Sequence, residues 1–392
     1  GMKRFLTHLK QNMMRMVRRY LYLKPNEEIN TMSRIVTQSK LNELTGMSID
    51  YGKGEGYCPH YKTIVSLWGS VVASSNYQPN QLVKEEDIVV NKDLFLINAE
   101  TGSLYFAGGG TYAQIPAIDG YEDFVYIAGG GEAIGALSML GGLYVVNQST
   151  KQWELKYKDT VRAYGYAHLA RFSTGWVFYK GTGGDGKNYV IIVYDDGTVK
   201  ERSVVGPVNS ISTGPYDYCC VGASYKGGAR IYTFLATSVP DSLTYYTPGM
   251  FTPSAVIQGF HSSPRSVVYS TTSNYTYVSA NPTGTQWTAA TTRPQLTDLT
   301  KGLYVNEAGT NTFMLIGNNM KSVSTDRGNN WTTSTLGEYT LTDLIYVDSN
   351  WYAIGSNGTK RLLLQNTAST FDQSNKILDL PDYSRQVIKI NT

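Results

Sequence analysis

The residues with the chemistry for catalysis or metal binding are few and scattered. His8, His60, His168 and His261 are the only histidines, and none has the HxH or HxxxH spacing that brings two imidazoles to one metal ion. The three cysteines are Cys58, Cys219 and Cys220, with no Cys-x-x-Cys pair, so neither a zinc site nor a disulfide framework is indicated. Adjacent Cys219 and Cys220 on a strand point to opposite sheet faces and read as reduced thiols. The glycine tracts at 108–110, 129–131 and 181–186 have the density of a phosphate cradle. None leads into a helix with Lys-Ser/Thr, so they read as hairpin tips. Asp185, Asp195 and Asp196 offer oxygens for calcium but lack the EF-hand spacing and its closing glutamate. The expectation is no catalytic residue, no metal and no cofactor.

One constellation does carry a definite local chemistry. Ser324-Thr325-Asp326-Arg327-Gly328-Asn329-Asn330-Trp331 places a hydroxyl and a carboxylate beside the amides of a tight turn. The glycine admits positive φ, and the indole fills the gap beside the turn. A second copy, Ser279, Asn281, Gly284 and Trp287, has one extra residue and an amide where the first has an acid. The chemistry of both is structural.

Around these turns the chain repeats. Leu296-Thr297-Asp298-Leu299 recurs 45 residues on as Leu341-Thr342-Asp343-Leu344, and Trp287 recurs 44 residues on as Trp331. Weaker echoes surround Trp153 and Phe371. From about residue 93, β-type runs alternate with Gly/Asn/Asp/Ser/Thr turns, for example at 94–97, 124–127, 142–146, 176–179, 189–194, 230–235, 266–269, 313–316, 344–347 and 360–364. A period in the forties with about four strands per unit describes a propeller blade. The expected fold is all-β: a six- or seven-bladed β-propeller over 91–392, preceded by an N-terminal α-helical arm over 1–46. Residues 47–90 read as a connector or as the source of a donated strand, and seven blades would follow if one strand from 60–90 closed the ring with the C-terminal blade.

The S-x-D-x-G-x-x-W pattern at 324–331 resembles the Asp box of the bacterial-neuraminidase-repeat, or sialidase-like, propellers. The match is good over two blades and poor over the others. The resemblance implies a hairpin between the third and fourth strands of a blade. It also implies, for sialidases proper, an arginine triad, a Tyr–Glu nucleophile pair, an Asp acid/base and an early Arg-Ile-Pro motif. The nearest sequence to that motif is Gln114-Ile115-Pro116, without the arginine, and nothing marks a triad among the nine arginines beyond residue 93. Fold alone does not transfer an activity, and the chain is read as a non-enzyme.

Composition shapes the functional expectation. Only 17% of residues are charged, against about 25% in an average protein, while 31 are Tyr. Tyr presents a flat apolar body and a polar tip, which suits strand-rich surfaces and interfaces. The net charge of +3 hides an asymmetry: residues 1–25 hold seven basic and no acidic side chains, leaving −4 on the rest. In that arm Phe5, Leu9, Met13, Met16 and Tyr20 follow helical spacing between Arg15, Arg18 and Arg19, so partner docking is preferred over nucleic acid or an anionic membrane. Gly1 ahead of Met2 reads as a cloning remnant. With no signal peptide and no apolar run of about 18 residues, the first reading is a structural or adhesion component of a bacteriophage-tail-type particle. On that reading the protein is made in the host cytoplasm and located in the virion. Its partners are other virion proteins or its own copies, with a host glycan as a further ligand. The alternatives are a glycan-binding or sialidase-like propeller and a cellular protein-binding scaffold. Flanking genes, or a glycan array with a sialidase assay, would separate these readings.

Overall fold

The computed structural model describes residues 93–108, 110–115, 118, 123–149, 152–158, 168–180 and 188–390. The expected helical arm, with Phe5, Leu9, Met13, Arg15, Met16, Arg18, Arg19 and Tyr20, and the connector over 47–90 lie outside the described residues.

Among the described residues, twenty-eight strands form seven antiparallel sheets of four, one per blade of a seven-bladed propeller. Blades two to seven are continuous in sequence: β4–β7, β8–β11, β12–β15, β16–β19, β20–β23 and β24–β27. Blade one is shared by the two ends, in the order β28-β1-β2-β3. Its innermost strand is β28 (Ser384–Lys389), and β1 (Phe95–Ala99), β2 (Leu104–Gly108) and β3 (Thr111–Gln114) follow outward. The register runs Phe95↔Lys389, Leu96↔Ile388, Ile97↔Val387 and Asn98↔Gln386 before a shift at Ala99. Within the described residues the strand that meets the C-terminal one is Phe95–Ala99.

The innermost strands of blades two to seven are β4 (Phe124–Gly130), β8 (Leu169–Phe172), β12 (Val208–Thr213), β16 (Ala255–Phe260), β20 (Lys301–Glu307) and β24 (Thr340–Val347). Each touches the next around the circle, and β24 touches β28 to complete it.

The core lies between blades. On β25 (Asn350–Asn357), Trp351 and Ala353 pack with Met314 and Ile316 of blade six, whereas Tyr352 and Ile354 pack with Phe95, Ile97 and Val387 of blade one. Successive side chains of a strand point to opposite faces, and here both faces are covered, so the middle strands read as near-continuous apolar runs. Cys219 and Cys220 on β13 (Tyr218–Tyr225) behave as expected: the first sits in the core between blades three and four, the second in that between four and five. Both are free and buried, and burial pushes the Cys220 thiol up to about 12.

Candidate functional site

The seven inner strands surround a central channel of about 730 Å³. An inner strand has a free edge, so some of its backbone N–H groups find no partner within their own blade. Side chains from the neighbouring blade supply the acceptors. Ser210 and Ser212 of β12 accept from the N–H groups of Val256 (3.1 Å) and Gln258 (2.8 Å) on β16. Asp343 of β24 accepts from Val387 N–H of β28 (2.9 Å), and Gln386 Oε1 of β28 accepts from Ile127 N–H of β4 (3.1 Å). Arg385 reaches from blade one to the Val125 carbonyl of blade two and also donates to Asn98 Oδ1 (3.1 Å). The channel wall is therefore stitched from blade to blade by side chain to backbone bonds.

The charged centre of the wall is Lys301 with Asp343. Lys301 Nζ lies 2.9 Å from Asp343 Oδ1 and donates to the Leu344 carbonyl (3.1 Å), while Asp343 Oδ1 also accepts from Leu344 N–H (2.9 Å). Burial works against the Lys301 cation, but the carboxylate beside it outweighs burial and raises its pKa. Tyr126 and His168 stand nearby with ring centroids 5.7 Å apart. Both rings are partly accessible, and the seven blades surround them. Desolvation raises the Tyr126 hydroxyl, with Lys301 opposing, and pushes His168 down to about 4 against a backbone hydrogen bond at Asn209. At neutral pH the channel thus presents a neutral imidazole, a protonated phenol and a mutually compensated ion pair.

The described residues that line the channel include one arginine, Arg171, and no glutamate. Arg171 is held in a bidentate pair by Asp195 at 2.6 and 2.8 Å. Gln114 lies on β3, the strand of its blade furthest from the channel. Among the described residues no group of three or more His, Cys, Asp or Glu is placed to hold a metal ion. The glycines at 129–131 form the end of β4 and its turn, with φ of +98°, +151° and +58°. A Cβ on Gly129 would stand 1.9 Å from the Ala133 carbonyl oxygen, so this tract is glycine because the turn is too tight for anything larger.

The two Asp-box-like turns lie away from the channel, between the third and fourth strands of blades five and six: β18 (Thr276–Ser279) to β19 (Trp287–Ala289), and β22 (Met320–Ser324) to β23 (Thr332–Thr335). Ser324 Oγ accepts from Gly328 N–H (3.0 Å) and donates to Asp326 Oδ1 (2.8 Å). Asp326 accepts from Asn330 N–H (2.9 Å) and from the Asn330 amide (2.6 Å), and Trp331 Nε1 donates to the Gly328 carbonyl (2.7 Å). In the other turn, Asn281 Oδ1 accepts from Thr285 N–H (3.0 Å), Trp287 Nε1 donates to the Gly284 carbonyl (2.6 Å), and Ser279 Oγ accepts from Ser266 N–H (2.8 Å). Each indole packs toward the preceding blade, Trp331 with Val267 and Val278, Trp287 with Ala229 and Ile231. The turns are seams between blades, and the polar groups of Ser324, Asp326 and Trp331 bond within their own turn.

No protein-family model matches the chain. No curated protein matches it either. Solved structures do. A structure of YCF48 bound to D1 peptide shares 11% identity over 72% of this chain and 89% of that one, with a TM-score of 0.50. A functionally unknown protein from Desulfotomaculum acetoxidans shares 10% over 76% and 99%, with a TM-score of 0.53. The likeness is one of fold. At such identity it carries no residue role across, and the channel and the seams rest on their own geometry.

Sequence reasoning placed the turn residues and missed the channel residues Tyr126, His168, Lys301, Asp343 and Gln386. The one available signal was the Leu-Thr-Asp-Leu repeat. Asp298 and Asp343 each cap the amide that follows, at 2.7 and 2.9 Å, but only Asp343 goes on to reach the next blade.

Proposed function

We propose that this chain is a non-enzymatic docking propeller that works by binding other proteins, with assembly into a viral particle as its specific setting. The observation that carries the reading is how the channel spends its polar groups. Lys301, Asp343 and Gln386 are engaged in holding the ring together, and Arg171 is neutralised by Asp195. A catalytic centre needs a base or nucleophile free to act on a substrate. Propellers of this fold also hold peptides, as in the YCF48 structure bound to D1 peptide. The viral setting draws on the low charge, the tyrosine-rich strands and the basic arm of residues 1–25.

Deleting residues 1–25 tests the reading. The truncated protein is expected to keep the melting temperature of the full chain while losing self-association or incorporation into particles, measured by light scattering and by particle purification. Unchanged assembly would overturn the role of the arm. A second reading, glycan binding or cleavage, draws on the Asp-box-like turns. A glycan array and a fluorogenic sialoside test it, and turnover that is lost on replacing Tyr126 by Phe would replace the docking proposal with it.

A further inference from the structure

Between blades four and five, on one face of the ring, cationic and aromatic side chains interleave without any acid among them. The segments involved are 225–230, 245–251, 270–277 and 290–295, and none contains Asp or Glu. The Arg230 guanidinium lies 4.7 Å from the Tyr245 ring centre, Lys226 Nζ lies 5.2 Å from that of Tyr225, and Arg293 lies 4.8 Å from that of Tyr275. The strip is continuous. A Cβ on Gly228 would touch both Arg230 (2.9 Å) and Met250 Sδ (3.3 Å), and Phe251, next to Met250, stacks on Tyr275 and Tyr277.

Two features set this strip apart. Met250 is 75% exposed and Tyr225 42%, so apolar surface stands open beside the charges. Among the described residues, neither Lys226, Arg230 nor Arg293 makes an ion pair. Arg230 donates to the Ala229 carbonyl and Thr247 Oγ1, and its buried Nε finds no partner; Arg293 reaches only the Ser273 carbonyl, at 3.4 Å. Cations gain a modest attraction on aromatic faces, which pre-orders them without neutralising them. Tyr, Met and Arg are also the residue types enriched where proteins meet.

We infer that this strip, deepening the docking proposal above, receives an extended acidic segment of a partner protein. The carboxylates of that segment meet Arg230, Arg293 and Lys226, and an apolar side chain covers Met250. Nucleic acid is the less fitting occupant. Three cations on a body that carries −4 outside its arm make a weak electrostatic footprint for a polyanion, and an open Met adds nothing to phosphate binding.

The test uses the full chain and fluorescence anisotropy at physiological salt. The probes are a short labelled peptide alternating Asp/Glu with Leu, its Lys-for-acid counterpart, its Ser-for-acid counterpart, and a single-stranded oligonucleotide. The acidic peptide is expected to bind best. Met250→Asp, Arg293→Glu and Arg230→Glu are each expected to weaken it about tenfold, and Lys376→Glu on blade seven to leave it unchanged. Arg230 also ties down Thr247, so Met250→Asp and Arg293→Glu, with melting curves alongside, keep the result free of a folding defect. Acidic-peptide binding that survives all three variants belongs to the basic arm and overturns the inference. So does equal binding of the three peptides, or an oligonucleotide that binds more tightly through the same residues. If particle incorporation persists in the three variants while peptide binding never appears, the docking proposal stands and this location for it fails.

Discussion

Asp326 is a residue whose chemistry is complete within its own turn. Burial opposes its charge, but the Asn330 side chain and amide and the Ser324 hydroxyl outweigh burial and lower its pKa. A carboxyl depressed in the folded state contributes stability that is present above its unfolded value and lost as pH falls through its folded one. Asp326→Ala is expected to cost about 1–3 kcal/mol in urea titrations, because turn donors lose their acceptor. The loss should shrink in acid, where wild type loses the same contribution. His168 has the same sign of pH dependence for a different reason. Its pKa is held at about 4 against an ordinary 6.5, so folding keeps it neutral. Its contribution is full above pH ~6.5 and falls away as the pH drops toward ~4, on the order of 3–4 kcal/mol at about 1.4 kcal/mol per pH unit. His168→Gln should remove that slope from the denaturation midpoint plotted against pH. The turn chemistry at Asp326 was legible because its partners lie within four residues of it. That of His168 was not, because its surroundings come from blades far apart in sequence.

The strands divide by how well the chain announces them. All ten runs read from sequence fall on strands, with only Leu94 outside, just ahead of β1. Most are second or third strands of a blade, and these are buried on both faces. Only the runs at 124–127 and 344–347 lie on inner strands, and no run marks a fourth strand. The reason is solvent. Strand β7 (Gln152–Lys158) is largely open and reads as polar sequence, and β12 turns Ser210 and Ser212 to the next blade's amides, not to an apolar core. Inner strands are therefore held by polar bonds between blades, and this can be measured. Asp343→Ala removes acceptors for Val387 and Leu344 and strands Lys301, so a loss of about 3–5 kcal/mol is expected. Replacing Lys301 by Met in the same chain should recover part of that loss. A double-mutant cycle by chemical denaturation with no coupling would show that the pair does not hold β24 against its neighbours.

At the scale of the molecule, the repeat of 44–45 residues revealed the architecture but not the count. Blade one carries no complete repeat of its own, because its inner strand comes from 384–389 and the other three from 95–114. A division of chain length by period cannot see a unit assembled from both ends. The turn motif faded for a similar reason. In blades five and six the Ser, Asp or Asn, Gly and Trp positions still form the seam, whereas elsewhere other contacts close it, as where Phe371 bonds to the Leu336 carbonyl between blades seven and six.

That shared blade also fixes how the protein bears load. Lys389 lies opposite Phe95, and Ile390 N–H donates to the Leu94 carbonyl at 2.8 Å, so the two ends of the ring leave side by side from one antiparallel pair. Tension applied between residues 93 and 390 would open that pair like a zipper, one rung at a time, instead of shearing all its bonds together. Pulled this way in optical tweezers, the ring should yield at low force, with the parting of β28 from β1 as its first event. Tension between residue 93 and a handle on β26 (Lys360–Asn366) bypasses the zipper and should require more. A propeller anchored through one end alone never loads its clasp as a zipper, so its partner pulls against all the bonds of that pair together.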